Sequence, residues 1–494
     1  MELIFPALLT LVAAFIILYL CSFITNYITT PRNFPPGPRP LPFIGNLHII
    51  NLKRPYLTLI ELSKAYGSVF TIQMGMRKMV VLTGYEAVKN ALVGHAEEFG
   101  ERASIPVFEK IDSGMGVIFA HGESWKAMRR FTIGTLRDFG MGKSTVEDKI
   151  LEEIDHLVQK FQTFQGKPFD NSQSINAAVG NIIVSIVLGH RMDYGDPTFR
   201  RLLRLTNENI QLAGSPTVSM YNMFPGLVGL FPGSHKTILS NIAEINEFIT
   251  KTFVNHLKEL DVDDQRSYID AFLVKQKEEE NNAGTHFHNR NLLSSVRNLF
   301  SAGMETTATT IRWGLLLMTK FPEIQEKVQS EIAKVIGTMQ PQYNHRHQMP
   351  YANAVLHEIQ RFANIVPMNL PHQTTKDVQF MGYFIPKGTY IIPLLASVLY
   401  DKTQFAEPYV FNPQHFLDSE GKFQKKDAFM PFSAGRRICA GETLAKMELF
   451  LFFTTLLQKL TFQKPPEVHD VDLTPAVGLT TPPMPHKICA IERF

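Results

Sequence analysis

The sequence predicts a mainly α-helical protein with small β-sheets, preceded by a single N-terminal helix able to cross a membrane. Three observations lead there. Helical periodicity dominates from about residue 85 to 365, as in VEDKILEEIDHLVQKFQ (146–162) and IQEKVQSEIAKVIG (324–337). Two short patches of strand-like alternation interrupt it. The first 30 residues are almost wholly apolar.

The bulk numbers narrow the class. The chain has 494 residues, 45% of them hydrophobic, which is a globular composition with ample material for a core. A formal net charge of +3 is too weak to argue for nucleic acid, and no RNP-like, zinc-finger or basic-zipper pattern occurs. The three cysteines, Cys21, Cys439 and Cys489, make neither a disulfide framework nor a C-x-x-C zinc pair. A reducing compartment fits.

Between Glu2 and Arg32 there is no charge, and LIFPALLTLVAAFIILYLCSFIT is long enough to span a bilayer. A cleaved signal peptide would have a basic start and a shorter apolar core. Arg32 and Arg39 follow the span, so the positive-inside rule leaves the bulk of the protein in the cytosol. The competing reading, a buried core helix, rarely runs this long without charge. PRNFPPGPRPLPFIGN (31–46) holds six prolines and reads as a semi-rigid spacer. Three parts follow: an anchor over 1–30, a proline-rich linker over 31–45 and one domain over 46–494. No linker divides that domain, and no internal repeat is visible.

Within it, SVFTIQMG and KMVVLTG alternate around Met76-Arg77, a two-stranded unit. DVQFMGYFIPKGTYIIPL (377–394) is the second β-rich patch, and ETLAKMELFLFFTTLLQKL (442–460) the final long helix. The H-x-H pairs in KEEENNAGTHFHNRN (277–291) and YNHRHQM (343–349) sit among loop-type residues and read as solvated loops. MYNMFPGLVGLFPG (220–233) is apolar and turn-rich. Two readings stay open for it: a cover over the core, or a segment that dips into a membrane surface.

The chemistry concentrates in PFSAGRRICAG (431–441). Cys439 as a packed core thiol fits poorly beside two arginines and two glycines. A nucleophile needs a base, and no histidine is near in sequence. A phosphate loop would need lysine where Glu442 stands. A metal-bound thiolate fits the local chemistry. Arg436, Arg437 and the N-terminus of the following helix should all favour thiolate over thiol. Gly435 and Gly441 permit tight turns and the close approach of a flat ligand. A lone thiolate on an apolar site suits a haem iron.

Phe432, Gly435, Arg437, Cys439 and Gly441 resemble the F-x-x-G-x-R-x-C-x-G haem-binding loop of the cytochrome P-450 superfamily, a highly specific pattern. The family's other motifs follow in order over nearly the whole chain. SAGMETTATT (301–310) is odd for a helix, with Gly303, four threonines and Glu305 inside an apolar run, and predicts a local distortion facing a ligand. It resembles the family's distal helix. The resemblance implies that Ala302 and Gly303 leave room for dioxygen while Thr306 and Glu305 organise protons. HEIQRF (357–362) puts Glu358 and Arg361 on one helix face and resembles E-x-x-R, with FNPQHF (411–416) supplying the third partner. His415 stands where the broad family has arginine, a departure similar to its microsomal family 2 branch. The three are read as structural support.

GESWKAMRRF (122–131) resembles W-x-x-x-R, so Trp125 and Arg129 would hold a haem propionate, with Arg102, His372 and Arg437 as further partners. Lys126, Arg130, Arg137 and Arg436 would form a basic patch for an acidic electron donor. The substrate pocket, again by resemblance, would draw on Ile118, Phe119, Phe300, Ala302, Thr306, Val366, Leu370, Val477 and Leu479. The expected cofactor is haem b with Cys439 as axial ligand. The expected activity is insertion of one oxygen atom from O2 into lipophilic xenobiotics, fatty acids or steroids. No flavin or Rossmann motif appears, so electrons from NADPH would arrive through a cytochrome P-450 reductase, with cytochrome b5 as a second donor, at the cytosolic face of the endoplasmic reticulum membrane. Two other uses stay open: an isomerase or peroxygenase on the same fold, and a membrane-tethered haem or lipid binding protein without turnover.

Overall fold

The computed structural model describes residues 30–493. The expected anchor therefore lies outside the described residues, except for Thr30. Among the described residues, no helix is long and apolar enough to cross a membrane.

The architecture is organised around one helix, Asn289–Lys320, called the central helix below. Its 32 residues make it about 48 Å long. It starts where His288 accepts a hydrogen bond from the Asn291 amide at 3.3 Å, and it stops where Pro322 opens the next helix. The 277–291 segment is thus only partly the expected loop. His288 is the cap of the central helix, and Asn291 is buried, its side-chain oxygen accepting from the Gly116 amide at 2.9 Å. The 343–349 segment also differs from expectation, folding as a 3₁₀ turn over Tyr343–Gln348.

Helix Ser172–Val187 packs lengthwise on the central helix. A Cβ at Gly303 would sit 2.5 Å from Ile183 Cδ1 of that helix, and one at Gly180 would sit 2.8 Å from Leu203 Cδ2 and 3.6 Å from Met304 Cγ. The Ile183 contact explains Gly303 as a packing residue. The dioxygen role expected for it is not where its Cα faces. The expected distortion is absent as well: residues 289–320 are α-helical throughout. The threonine hydroxyls bond back to carbonyls, Thr306 to Ala302 at 2.7 Å and Thr310 to Thr306 at 2.9 Å, without breaking the ladder. Helices Ser144–Gln162, Pro350–Ala363 and Glu442–Lys459, the last called the final helix, complete the main core.

Nine strands make three sheets among the described residues. β1 (Val69–Met74) and β2 (Arg77–Leu82) form the antiparallel unit read from the sequence. β3 is Glu101–Arg102, β4 His372–Gln373, β5 Val378–Phe380, β6 Tyr383–Ile385 and β7 Tyr390–Pro393. The second β-patch splits. β5 and β6 pair only with each other, whereas β7 runs parallel to β2 in a sheet ordered β1-β2-β7-β4-β3. Its register sets Arg102 opposite His372. β8 (Leu460–Gln463) and β9 (Cys489–Glu492) form the third sheet, in which Cys489 is a buried core thiol.

Glu358, Arg361 and His415 come together as a fully internal cluster. Arg361 meets Glu358 in two parallel bonds of 2.7 Å and donates further to the carbonyls of Leu399, Pro408 and Val410. His415 Nδ1 lies 3.2 Å from both Glu358 oxygens. Both charged side chains are 0% exposed. Removing one partner strands the other charge, which typically costs about 3–5 kcal/mol. Arg361→Met is expected to lower unfolding free energy by that amount in a denaturant titration, and His415→Phe by clearly less. A loss below about 1 kcal/mol for Arg361→Met would contradict this account.

Candidate active site

Cys439 sits in a tight loop. The 3₁₀ turn Gly435–Arg437 precedes it, and Gly441 caps the final helix behind it. Gly435 has φ +72°, and a Cβ there would lie 1.8 Å from the Leu92 carbonyl oxygen. The Cys439 amide donates back to the Phe432 carbonyl at 3.0 Å and closes the loop. The thiol is solvent-exposed in area yet surrounded by dense protein. Both hold for a side chain on the wall of an interior space.

Burial pushes the Cys439 thiol above its ordinary pKa, opposed by the Gly441 amide and the Arg129 charge. The lowering expected from Arg436 and Arg437 does not occur, because neither turns toward the sulfur. Arg436 extends over Gly100 and is exposed. Arg437 folds the other way, donating to Glu101 at 2.6 Å and to the Gly100 and Ala120 carbonyls at 3.0 Å. Its guanidinium lies 3.6 Å over the Trp125 ring.

Three arginines gather there with little to neutralise them. Arg102, Arg129 and Arg437 repel one another, and the carboxylate that meets them is Glu101. Burial together with the like charges pulls Arg102 down to about 9, and burial pulls Arg437 down to about 10. Arg129 donates to the Ile438 carbonyl at 2.6 Å, beside the cysteine. Arg102 Nε, Arg437 Nη1 and Trp125 Nε1 are buried donors without partners among the described residues. Unpartnered buried donors are costly, so a group with acidic edges fits this wall. His372 is engaged on both ring nitrogens: Nδ1 donates to the Phe99 carbonyl at 2.6 Å, and Nε2 accepts from Arg102 at 2.7 Å. Burial holds it neutral, so it positions Arg102.

On the central helix the expected acid and alcohol point apart, as adjacent helical residues must. Glu305 is 1% exposed, accepts from Thr309 at 3.0 Å and meets the Thr480 hydroxyl at 3.4 Å. Burial raises its pKa, and its Oε2 has no partner among the described residues. Thr306 and Ala302 lie on the helix face that stays accessible. The structure does not hydrogen-bond Glu305 to Thr306. It adds an acid that the sequence reading missed: Glu448 on the final helix is fully buried, accepts from Thr307 at 3.0 Å and is pushed up to about 8 by burial. Glu448 had no local signal, since a lone glutamate in a helix reads as surface, whereas Glu305 was marked by the apolar, threonine-rich run around it.

The apolar residues expected in the pocket fall into groups. Ile118, Phe119 and Leu370 share one cluster, with Phe119 stacked 4.1 Å from Phe108. Phe300 is partly buried on the main core. Val366, Val477 and Leu479 are partly buried, and the Leu479 amide donates to the Ile210 carbonyl at 3.1 Å. Phe108 and Val218 belong to the first cluster without having been singled out in the sequence, and Tyr221 joins it from the 220–233 segment. Also unread was the buried pair of Arg297 and Asp112, which ties the central helix to Pro106–Asp112. Of the proposed docking cations, Lys126, Arg130 and Arg137 share a face of helix Gly122–Asp138. Arg130 and Arg137 are exposed, while Lys126 pairs with Glu123 at 2.6 Å.

The cytochrome P450 family model matches residues 35–490. The chain belongs to the cytochrome P450 family. It is 53% identical to cytochrome P450 2K1 of Oncorhynchus mykiss, over 93% of this chain and 92% of that one. It is 48% identical to cytochrome P450 2C11 of Rattus norvegicus, over 90% and 89%, and 44% identical to cytochrome P450 2F3 of Capra hircus over the full length of both. The fold is the family's, mainly helical with small sheets, and the protein is an oxidoreductase of the monooxygenase type. Membership in the cytochrome P450 family implies a haem with a cysteine thiolate ligand and a redox partner such as a reductase.

His121 links this wall to the helix Pro106–Asp112, lying 3.3 Å from both Glu101 and Glu109. Burial works to raise the Glu101 pKa, but hydrogen bonds from His121 and two backbone amides and the Arg437 charge bring it down to about 2. Its contribution to stability is therefore present above about 4.5 and lost as pH falls toward 2. Glu101 and Glu109 raise His121 above 6.5, so its contribution is full below that value and lost as pH climbs through the raised one. The expected outcome is a melting temperature that falls from about pH 6 to pH 8.5 more steeply in the native protein than in His121→Asn. Equal slopes would contradict it.

Proposed function

We propose that this protein is a haem-thiolate monooxygenase that inserts one oxygen atom from O2 into lipophilic molecules such as xenobiotics, fatty acids or steroids. The observation that carries the reading is the wall of unpartnered cationic donors beside the Cys439 loop. Haem b would be held there through the Cys439 thiolate. Trp125, Arg102, Arg129 and Arg437 would bind its propionates, and Phe432, Gly435 and Gly441 would shape the loop behind it. When bound, the haem supplies dioxygen activation, which a thiolate ligand favours.

The chain's own residues do the rest. Ala302 leaves the accessible helix face low. Thr306 presents a hydroxyl that can hold and pass a proton at Oγ1 once it leaves the Ala302 carbonyl. Glu305, raised by burial, stores a proton on the neighbouring, buried face of the same helix. Ile118, Phe119, Phe300, Val366, Leu370, Val477 and Leu479 exclude water and orient an apolar substrate. Electrons would come from NADPH through a cytochrome P450 reductase, with cytochrome b5 as a second donor, and the donor protein would dock on Lys126, Arg130, Arg137 and Arg436. The site would face the cytosol from the endoplasmic reticulum membrane. Leu227, Leu230 and Phe231 are 62%, 74% and 58% exposed, and Phe224 beside them lies against Gly75, next to the exposed Leu41, Phe43 and Ile44. That apolar surface supports contact with a membrane.

The deciding measurement is the carbon monoxide difference spectrum of the dithionite-reduced protein beside Cys439→Ala. A strongly red-shifted Soret band lost in the variant is expected, and a band at the histidine-haem position would sink the reading. With reductase and a substrate, Thr306→Val is expected to keep consuming NADPH while product per NADPH falls at least about 10-fold. Unchanged coupling would remove Thr306 from the proton path. Turnover that needs no NADPH or reductase would favour a peroxygenase or isomerase.

A further inference from the structure

Behind the cysteine loop lies a cleft of about 630 Å³, within the range that holds small-molecule ligands. It is walled by residues 85–93, the turn Tyr343–Gln348, helix Pro350–Ala363, the stretch 423–438 and the final helix. It shares only the loop around Phe432 and Ile438 with the site described above, and no residue of the apolar pocket.

Three features of the cleft point to one kind of occupant. Its walls carry aromatic rings, including Tyr343, Phe423, Phe429, Phe432 and Phe450. Its charge is unbalanced. Five lysines and arginines line it against two carboxylates, Asp427 and Glu442, and Glu442 is already held by Lys446 at 2.5 Å. Arg346 meets no carboxylate among the described residues. It donates to the Tyr343 hydroxyl at 2.7 Å and lies 4.4 Å over that ring. Lys425 stands exposed at the mouth.

The third feature is His357. Its Nδ1 donates to the Asn353 carbonyl at 2.7 Å, and its ring stands 4.6 Å from Phe423 and 4.7 Å from Phe429. Burial lowers its pKa to about 4, so the ring is neutral and Nε2 is an acceptor. No donor among the described residues reaches that nitrogen. A half-buried acceptor inside an aromatic recess suits a small hydroxyl-bearing molecule better than the face of a protein.

We propose that this cleft binds an aromatic anion that carries a hydroxyl group. The rings pack against the phenylalanines, the hydroxyl donates to His357 Nε2, and the anionic group pairs with Arg346 and Lys425. This is a second ligand site, on the opposite side of the cysteine loop from the substrate pocket. Because the Phe432 carbonyl holds the Cys439 amide, an occupant resting on Phe432 touches the loop that presents the thiol.

The test uses the full chain loaded with haem and saturated with an azole, so that the substrate side is blocked and the Soret shift reports the block. A fluorescent hydroxynaphthalenesulfonate is then titrated. One probe per protein is expected, undisturbed by the azole. Arg346→Glu is expected to weaken it at least about 10-fold, as is replacing the probe by neutral naphthol. Lys425→Glu, at an exposed position that folding tolerates, is expected to weaken it measurably, and His357→Phe to abolish the preference for a hydroxylated probe. Displacement of the probe by the azole would overturn the proposal, as would equal affinity for neutral naphthol. Indifference to both charge reversals would do the same. Loss of electron-donor protein binding in Arg346→Glu with no probe binding in the native protein would make the cleft a protein contact and also overturn it.

Discussion

The chain that presents Cys439 passes so close to the Leu92 carbonyl that no side chain fits between them. A Cβ on Gly435 would lie 1.8 Å from that oxygen, and the residue's φ of +72° is one that glycine adopts at little cost. From this approach the rest of the site follows. The turn at Gly435–Arg437 throws Arg437 back toward Glu101 and Trp125, and the chain returns to bond Cys439 to the Phe432 carbonyl. Gly441 then starts the final helix with its amide near the sulfur. Any side chain at residue 435 would have to displace the π-helical turn Asn90–Gly94, and with it the geometry of the thiol.

Electrostatics builds the opposite wall. The β3–β4 register brings Arg102 to His372, and the loop brings Arg437 and Arg129 beside it. Three like charges at low exposure are unfavourable unless something negative joins them, and Glu101 alone is one carboxylate. The folded protein tolerates this because other parts are over-determined. The Glu358–Arg361–His415 cluster satisfies its charges internally, and the central helix is packed along most of its length. Stability is concentrated away from the site, and unsatisfied hydrogen-bonding capacity is concentrated in it.

The cysteine loop also divides the molecule into two faces. On one, Ala302 and Thr306 leave a low, accessible stretch on an otherwise buried helix. On the other, Phe432 and Ile438 turn outward into a basic, aromatic cleft. Two buried acids sit on and beside the central helix: its own Glu305 accepts from Thr480, and Glu448 of the final helix accepts from Thr307. Burial raises both pKa values, so protons can be held near a helix whose apolar surroundings disfavour charge.

Much was legible in the residues themselves. The period of the hydrophobic pattern gave the helices, and the β1–β2 unit showed in its alternation, because both depend on local spacing. The cysteine loop was legible because a tight turn and a lone thiol leave a mark in consecutive residues. Glu358 and Arg361 could be paired from their spacing, since three residues on a helix share a face. What consecutive residues cannot encode is direction relative to distant chain. Arg437 turned from the thiol to Glu101, His372 was spent on Arg102, and Gly303 served Ile183. Glu305 and Thr306 separated, and Glu448 entered from 141 residues away. By itself the sequence determined what lies in consecutive residues: the helices, the β1–β2 unit, the cysteine loop and the Glu358–Arg361 pairing. The tertiary structure alone decided which distant groups meet, because burial, register and repulsion between charges act through space between segments that the chain keeps far apart.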